Sequence, residues 1–115
     1  MAISEFEVKR IEKLVGNFVE SRRPPAHIRE RVDLSFIVNG QSVVIFEVRP
    51  QRNDPQNKIE EPVAKFTFIK STKEWKLYWM RADLKWHSYK PFPVSKSLEA
   101  IIESIEQDAY GCFWG

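Results

Sequence analysis

The chain is predicted to be an α+β protein: an N-terminal helix, an antiparallel meander of about five strands and a C-terminal helix, with both helices packed on one sheet face. Three observations carry this expectation. Long stretches between Val32 and Tyr89 alternate apolar and polar residues, as half-buried strands do. Asn39-Gly40 interrupts the first of them where a tight hairpin turn would fall. Both ends of the chain carry apolar residues at helical spacing instead.

The first helix starts with a capping box, Ser4 and Glu7, and a hydrophobic staple, Ile3 with Val8. Val8, Ile11, Val15, Phe18 and Val19 form its apolar stripe, and Leu14 widens it. It must end before Pro24-Pro25, because the residue preceding a proline is pushed out of the α region. A connector then leads into the first strand.

A type I′ turn at Asn39-Gly40 would oppose Phe36 to Val43, Leu34 to Ile45 and Val32 to Glu47. Pro50 is expected to end the second strand, since it has no N–H for a ladder, and residues 51–61 read as a polar loop. In the second hairpin the pattern chooses the register. A loop of Lys70 to Lys73 opposes Phe68 to Trp75, Phe66 to Leu77 and Ala64 to Trp79, which segregates bulky apolar groups from Lys65, Thr67, Lys76 and Tyr78. A tight turn at Asp83-Leu84 would oppose Met80 to His87 and Tyr78 to Tyr89. Leu98, Ile101, Ile102 and Ile105 mark the last helix, and the tail YGCFWG is too apolar to hang free.

A length of 115 residues fits a single domain spanning 1–115, large enough to bury a core without staples. Apolar and charged fractions of 43% and 30% exclude a disordered chain. Cys112 is the only cysteine, which points to the reducing cytoplasm. The first residues lack the apolar core of a secretory signal, and no apolar run reaches the ~18 residues of a membrane span. A cytoplasmic protein without membrane contact is therefore expected. The net charge of +2 is small but unevenly spread: Arg22, Arg23, Arg29 and Arg31 form one basic group, Lys73, Lys76, Arg81, Lys85 and Lys90 another, and the last helix is acidic.

The strongest functional signal is the interleaving of basic and aromatic residues in KEWKLYWMRADLKWHSYK. By the pairing above, Lys65, Lys76, Tyr78, His87 and Tyr89 share the face turned away from the helices. Flat rings stack on bases while lysines follow phosphates, so that face suits an anionic ligand, nucleic acid included. Arg29 and Arg31 could add phosphate contacts. The same composition is also that of an ordinary solvated sheet, or of a homodimer interface. Asp33 with Glu47-Val48-Arg49 resembles the acidic and basic set of a metal-dependent nuclease. The hairpin register nevertheless puts Asp33 and Glu47 on opposite faces. Glu47 reads better as half of an ion pair at the core edge, with Arg49 or Arg81 as partner. His27, His87 and Cys112 have no metal-ligand spacing, and no phosphate-binding glycine loop occurs. No metal and no cofactor are expected. Three function classes remain open in this order: a non-enzymatic binding module for an anionic ligand, an interaction protein that homodimerises through the same face, and a nuclease-like enzyme.

The order RRPP…IR…DL…GQSV…IFEVRP…DP…PVAK…RADLKWHSY…YGCF resembles a family of short bacterial proteins described only as a domain of unknown function. Its most distinctive parts are Gly40 to Pro50 and Arg81 to Tyr89. The resemblance implies a bacterial, cytoplasmic origin and transfers no activity, cofactor or functional residue.

Overall fold

The structure, a computed structural model, describes residues 4–29 and 31–114, with Pro55 described by its backbone alone. The expected Ile3–Val8 staple therefore falls partly outside the described residues. Helix α1 spans Glu5–Arg22, and the Ser4 hydroxyl caps it by accepting from the Glu7 N–H at 3.3 Å. A 3-10 turn at Ala26–Ile28 follows Pro24-Pro25. Six strands come next: β1 Asp33–Asn39, β2 Ser42–Gln51, β3 Asp54–Ile69, β4 Glu74–Met80, β5 Trp86–Ser88 and β6 Val94–Ser95. Helix α2, Leu98–Gln107, closes the order. The sheet runs β1-β2-β3-β4-β5, all neighbours antiparallel, and the short β6 shares the β5 edge of β4.

Both helices cover one sheet face. Ile11, Val15, Phe18 and Val19 of α1 and Leu98, Ile101, Ile102 and Ile105 of α2 bury against Leu34, Val43, Ile45, Phe66 and Leu77. The stripes at helical period and the residues two apart along the strands thus meet as a single core.

The first hairpin turns at Gly40-Gln41, one residue later than expected. Only Gly40 of that pair has positive φ (63°), which suits a type II′ turn with glycine first. Phe36 opposes Ile45 and Leu34 opposes Glu47. Gln41 is drawn out of the strand ends by Phe68: its carbonyl accepts the Phe68 N–H at 2.8 Å and its amide donates back to the Phe68 carbonyl at 2.7 Å. The displacement is two residues, an even number, so every side chain keeps its predicted face. The second hairpin has the predicted register, Ala64 with Trp79 and Phe68 with Trp75.

Two expectations are corrected. Residues 51–61 are strand apart from the turn at Arg52-Asn53, because β2 and β3 continue past their neighbours as a two-stranded arm. β1 leaves β2 at Val48, and β4 leaves β3 at Ala64. Pro50 does not stop the strand: it still pairs with Lys58 of β3, on an arm whose other edge β1 has left at Val48, where a missing N–H is tolerated. The second correction concerns β5. The connection after β4 is a three-residue loop, Ala82 to Leu84, closed by the Arg81 N–H to the Lys85 carbonyl at 3.2 Å, with Leu84 in the left-handed region (φ 62°). An odd displacement results: Trp79 opposes His87 and Tyr78 opposes Ser88. His87 and Tyr89 therefore leave the open face and turn to the helix side.

Candidate functional site

The consequence of that turn is a cavity at the β4–β5 edge. Leu77 divides the edge: its carbonyl accepts from the Tyr89 N–H at 2.9 Å and its N–H donates to the Pro93 carbonyl at 3.0 Å. Between those two bonds Lys90, Pro91 and Phe92 loop away from the sheet. The C-terminal tail folds back across the gap. Asp108 ends α2 in the left-handed conformation (φ 42°), and its carboxylate accepts from the N–H groups of Phe113 and Trp114 at 3.1 and 2.9 Å. Phe113 then packs on Tyr89, ring centroids 4.8 Å apart, and Trp114 sits beneath the Arg22 guanidinium at 4.0 Å. The tail docks, as its apolar composition demanded, and it brings Tyr110 and Cys112 to the cavity mouth.

The space, half open to solvent, is about 460 Å³, within the range of small-ligand sites. Trp79, Tyr89, Tyr110 and Cys112 line it together with Arg81, His87 and Lys90. The Arg81 guanidinium lies 5.6 Å from the Trp79 ring centroid. Asp83 holds His87 through a 2.8 Å contact from Oδ2 to Nε2, and this bond, with the Lys85 N–H, keeps the Asp83 carboxyl below its ordinary range. An ionised carboxylate only accepts, so the proton on Nε2 belongs to His87. Burial raises the Tyr89 phenol, with Cys112, Asp108 and Tyr110 adding to it; burial, then Asp108, raises the Cys112 thiol. Both stay protonated near neutral pH, and Cys112 is a poor nucleophile there. The cavity thus joins cationic groups to neutral aromatic walls.

The other residues singled out from the sequence fall elsewhere. Lys65, Lys76 and Tyr78 share the face opposite the helices, where Lys65 pairs with Tyr78 across the strands and its ammonium lies 5.7 Å from the ring. Tyr89 is buried at 2% exposure, so it cannot be part of an open binding surface. Arg29 is spent on the Pro24 carbonyl at 2.9 Å, and Arg31 is exposed in the connector between α1 and β1; neither lines the cavity. Arg49 reaches Glu47 at 3.3 Å and Glu61 at 3.5 Å, while Arg81 lies over Trp79 instead. Asp33 is clamped by Arg23, whose Nε and Nη2 each donate at 2.9 Å, and those bonds hold its carboxyl below the usual range. Among the described residues no three His, Cys, Asp or Glu side chains converge as a metal site would require. Asp33, Glu47 and Arg49 nevertheless line one cavity of about 240 Å³ beside Trp114, so the separation of the two carboxylates expected from the hairpin register does not hold at the strand ends. Each carboxylate is already paired there, Asp33 with Arg23 and Glu47 with Arg49, which leaves the nuclease-like reading no free acidic pair.

Sequence reasoning missed Trp79, Tyr110 and Cys112 as cavity residues, and Lys90 was read only as part of a basic run. The usable signal was the tail itself: an apolar end that must dock carries its neighbours to wherever it lands.

The architecture is that of a two-layer α+β protein with a cationic, aromatic cavity at one sheet edge. Over residues 3–115 the chain matches a family described as a domain of unknown function (DUF3024), and it belongs to that family. No curated protein and no solved structure matches it. Among the described residues no helix is long and apolar enough to cross a membrane.

Proposed function

We propose that this protein is a non-enzymatic binding module of the cytoplasm, a single domain over 1–115, whose ligand is anionic and is held at the β4–β5 edge cavity. The carrying observation is the meeting of Arg81, His87 and Lys90 at an aromatic-walled space of about 460 Å³. A phosphate or carboxylate entering there finds a planar guanidinium suited to paired hydrogen bonds and an ammonium. Nucleic acid is one source of such a group. Titration with inorganic phosphate, followed by amide NMR shifts, tests the proposal. Arg81→Ala should weaken binding by about tenfold or more, in line with the loss of a charged hydrogen bond. Lys76→Ala, on the open face, should leave it unchanged, and binding should weaken steadily with salt. The reverse pattern between these variants would return the site to the open face; absence of any phosphate response at low salt would end the anion reading.

A second reading rests on a different observation. On the face opposite the helices Ile37, which pairs with Val44 across the first hairpin, is 49% exposed. Apolar groups on a face no helix covers are what a homodimer interface needs. A solution mass near twice 13.6 kDa that falls to one copy in Tyr78→Ala supports it; a monomer at high concentration refutes it.

A further inference from the structure

The edge cavity does not end at its aromatic wall. A second cavity of about 370 Å³ adjoins it and shares Tyr89, Pro91 and Tyr110, then runs along α2 to Glu103 and Gln107. The groove is therefore chemically graded. Cations line one end, an exposed ring (Tyr110, 71% exposed) stands at the junction, and hydrogen-bond acceptors line the other end. Glu103 and Gln107 are one helical turn apart, and the Gln107 amide donates to Glu103 Oε1 at 3.0 Å. That bond orients both side chains, leaves Glu103 Oε2 and the Gln107 carbonyl oxygen as acceptors, and leaves the second Gln107 N–H as the single donor of the pair.

We infer that the groove takes a guanine nucleotide, free or as a unit of a single strand, with its phosphate at Arg81 and Lys90, its base on Tyr110 and its donor edge at Glu103. This rests on the anion reading above and extends it. A nucleotide is a ligand with an anion at one end, a flat π surface and a polar edge beyond it, in the order the groove presents. Among the bases, guanine alone offers two adjacent donors, the N1–H and the exocyclic amine, to an acceptor-only carboxylate. Adenine and cytosine place a ring acceptor beside their amine, and uracil flanks its N–H with carbonyls, so each would set a lone pair against Glu103. Sites built around hydrogen bonds reject analogues that leave those groups unpaired.

The test compares GMP, AMP, CMP and UMP by quenching of tryptophan fluorescence, with Trp79 as the reporter beside the cavity, and repeats the phosphate titration on each variant. GMP should bind roughly tenfold or more tighter than the others. Glu103→Gln should abolish that preference, and Tyr110→Ala should weaken every nucleotide. Glu103→Gln should leave binding of inorganic phosphate unaltered, since Glu103 lies outside the anion cavity; both residues are exposed, so the fold is not at stake. A guanine-containing octanucleotide that outcompetes GMP assigns the ligand to single strands, and parity assigns it to the free nucleotide. Phosphate binding with no preference among the four, or a preference that survives Glu103→Gln, overturns the inference and spares the anion site. Nucleotide binding indifferent to Arg81→Ala overturns both.

Discussion

Gly16 sits in the middle of α1, where its backbone freedom works against the helix. A methyl group there would meet only the Phe36 ring, at 3.9 Å, an ordinary van der Waals distance. Gly16→Ala is therefore expected to stabilise the fold by roughly 0.5–1 kcal/mol, read from a denaturant midpoint shift at unchanged slope. Leu84 presents the opposite case. It is 81% exposed and holds φ 62°, a conformation costly for any residue with a Cβ. No packing repays it; the turn it closes aims Asp83 at His87. Periodicity showed that Gly16 is helical, but the room beside it depends on where β1 lies. Leu84 could not be read as left-handed because neither glycine nor asparagine marks the spot.

At the scale of elements, α1 is tied to β1 by the Arg23–Asp33 clamp, whose two side chains are only about a quarter exposed, 27% and 24%. The clamp lowers the Asp33 carboxyl below its ordinary value of 3.8, first through the Arg23 hydrogen bonds. The folded form therefore binds its proton less readily than the unfolded chain does. The stabilisation is complete above that ordinary value and drains away as the pH falls through the lower folded value. Asp33→Asn should consequently melt below the parent at neutral pH, and the gap should narrow as the solution is acidified beyond the carboxylate range. An equal gap at all pH values would mean that the clamp acts only through packing. The hairpins show how far element-level reasoning reaches. An even displacement in the first hairpin was harmless to the faces, whereas the odd one at β5 moved His87 and Tyr89 from the open surface to the cavity side.

For the molecule as a whole, the radius of gyration is 14.5 Å and the extents are 44 × 30 × 25 Å. A fully compact chain of this length would have a radius of about 13 Å. The arm made by the far ends of β2 and β3 accounts for the excess, since most of its residues are exposed and only those two strands form it. Its prolines, Pro50, Pro55 and Pro62, interrupt the donor row that an open strand edge offers to other chains. Replacing residues 51–57 by a two-residue turn should reduce the radius measured by small-angle scattering toward the compact value. The melting temperature should stay within a few degrees, because no core residue is lost. A collapse of stability would instead make the arm a structural part of the sheet. Charge is also arranged globally: Arg10 of α1 bridges to Glu99 of α2 at 2.9 Å, joining the helices over the face they share.

The amino-acid order by itself determined both helices, the two long hairpins and the apolar face that becomes the core, because side-chain periodicity belongs to each segment and survives any even change of partner. It did not determine the handover at the sheet edge. The three-residue loop and the Asp108 anchor of the tail are closed by short-range bonds that no glycine or asparagine announces, and the arm continues through Pro50 because β3 pairs with it. Where the loop and the tail land relative to each other is fixed only once the layers have packed, and that decides which cations and rings surround one cavity. The core was legible because burial repeats locally, and the site was not because it is assembled from the ends of elements that meet only in three dimensions.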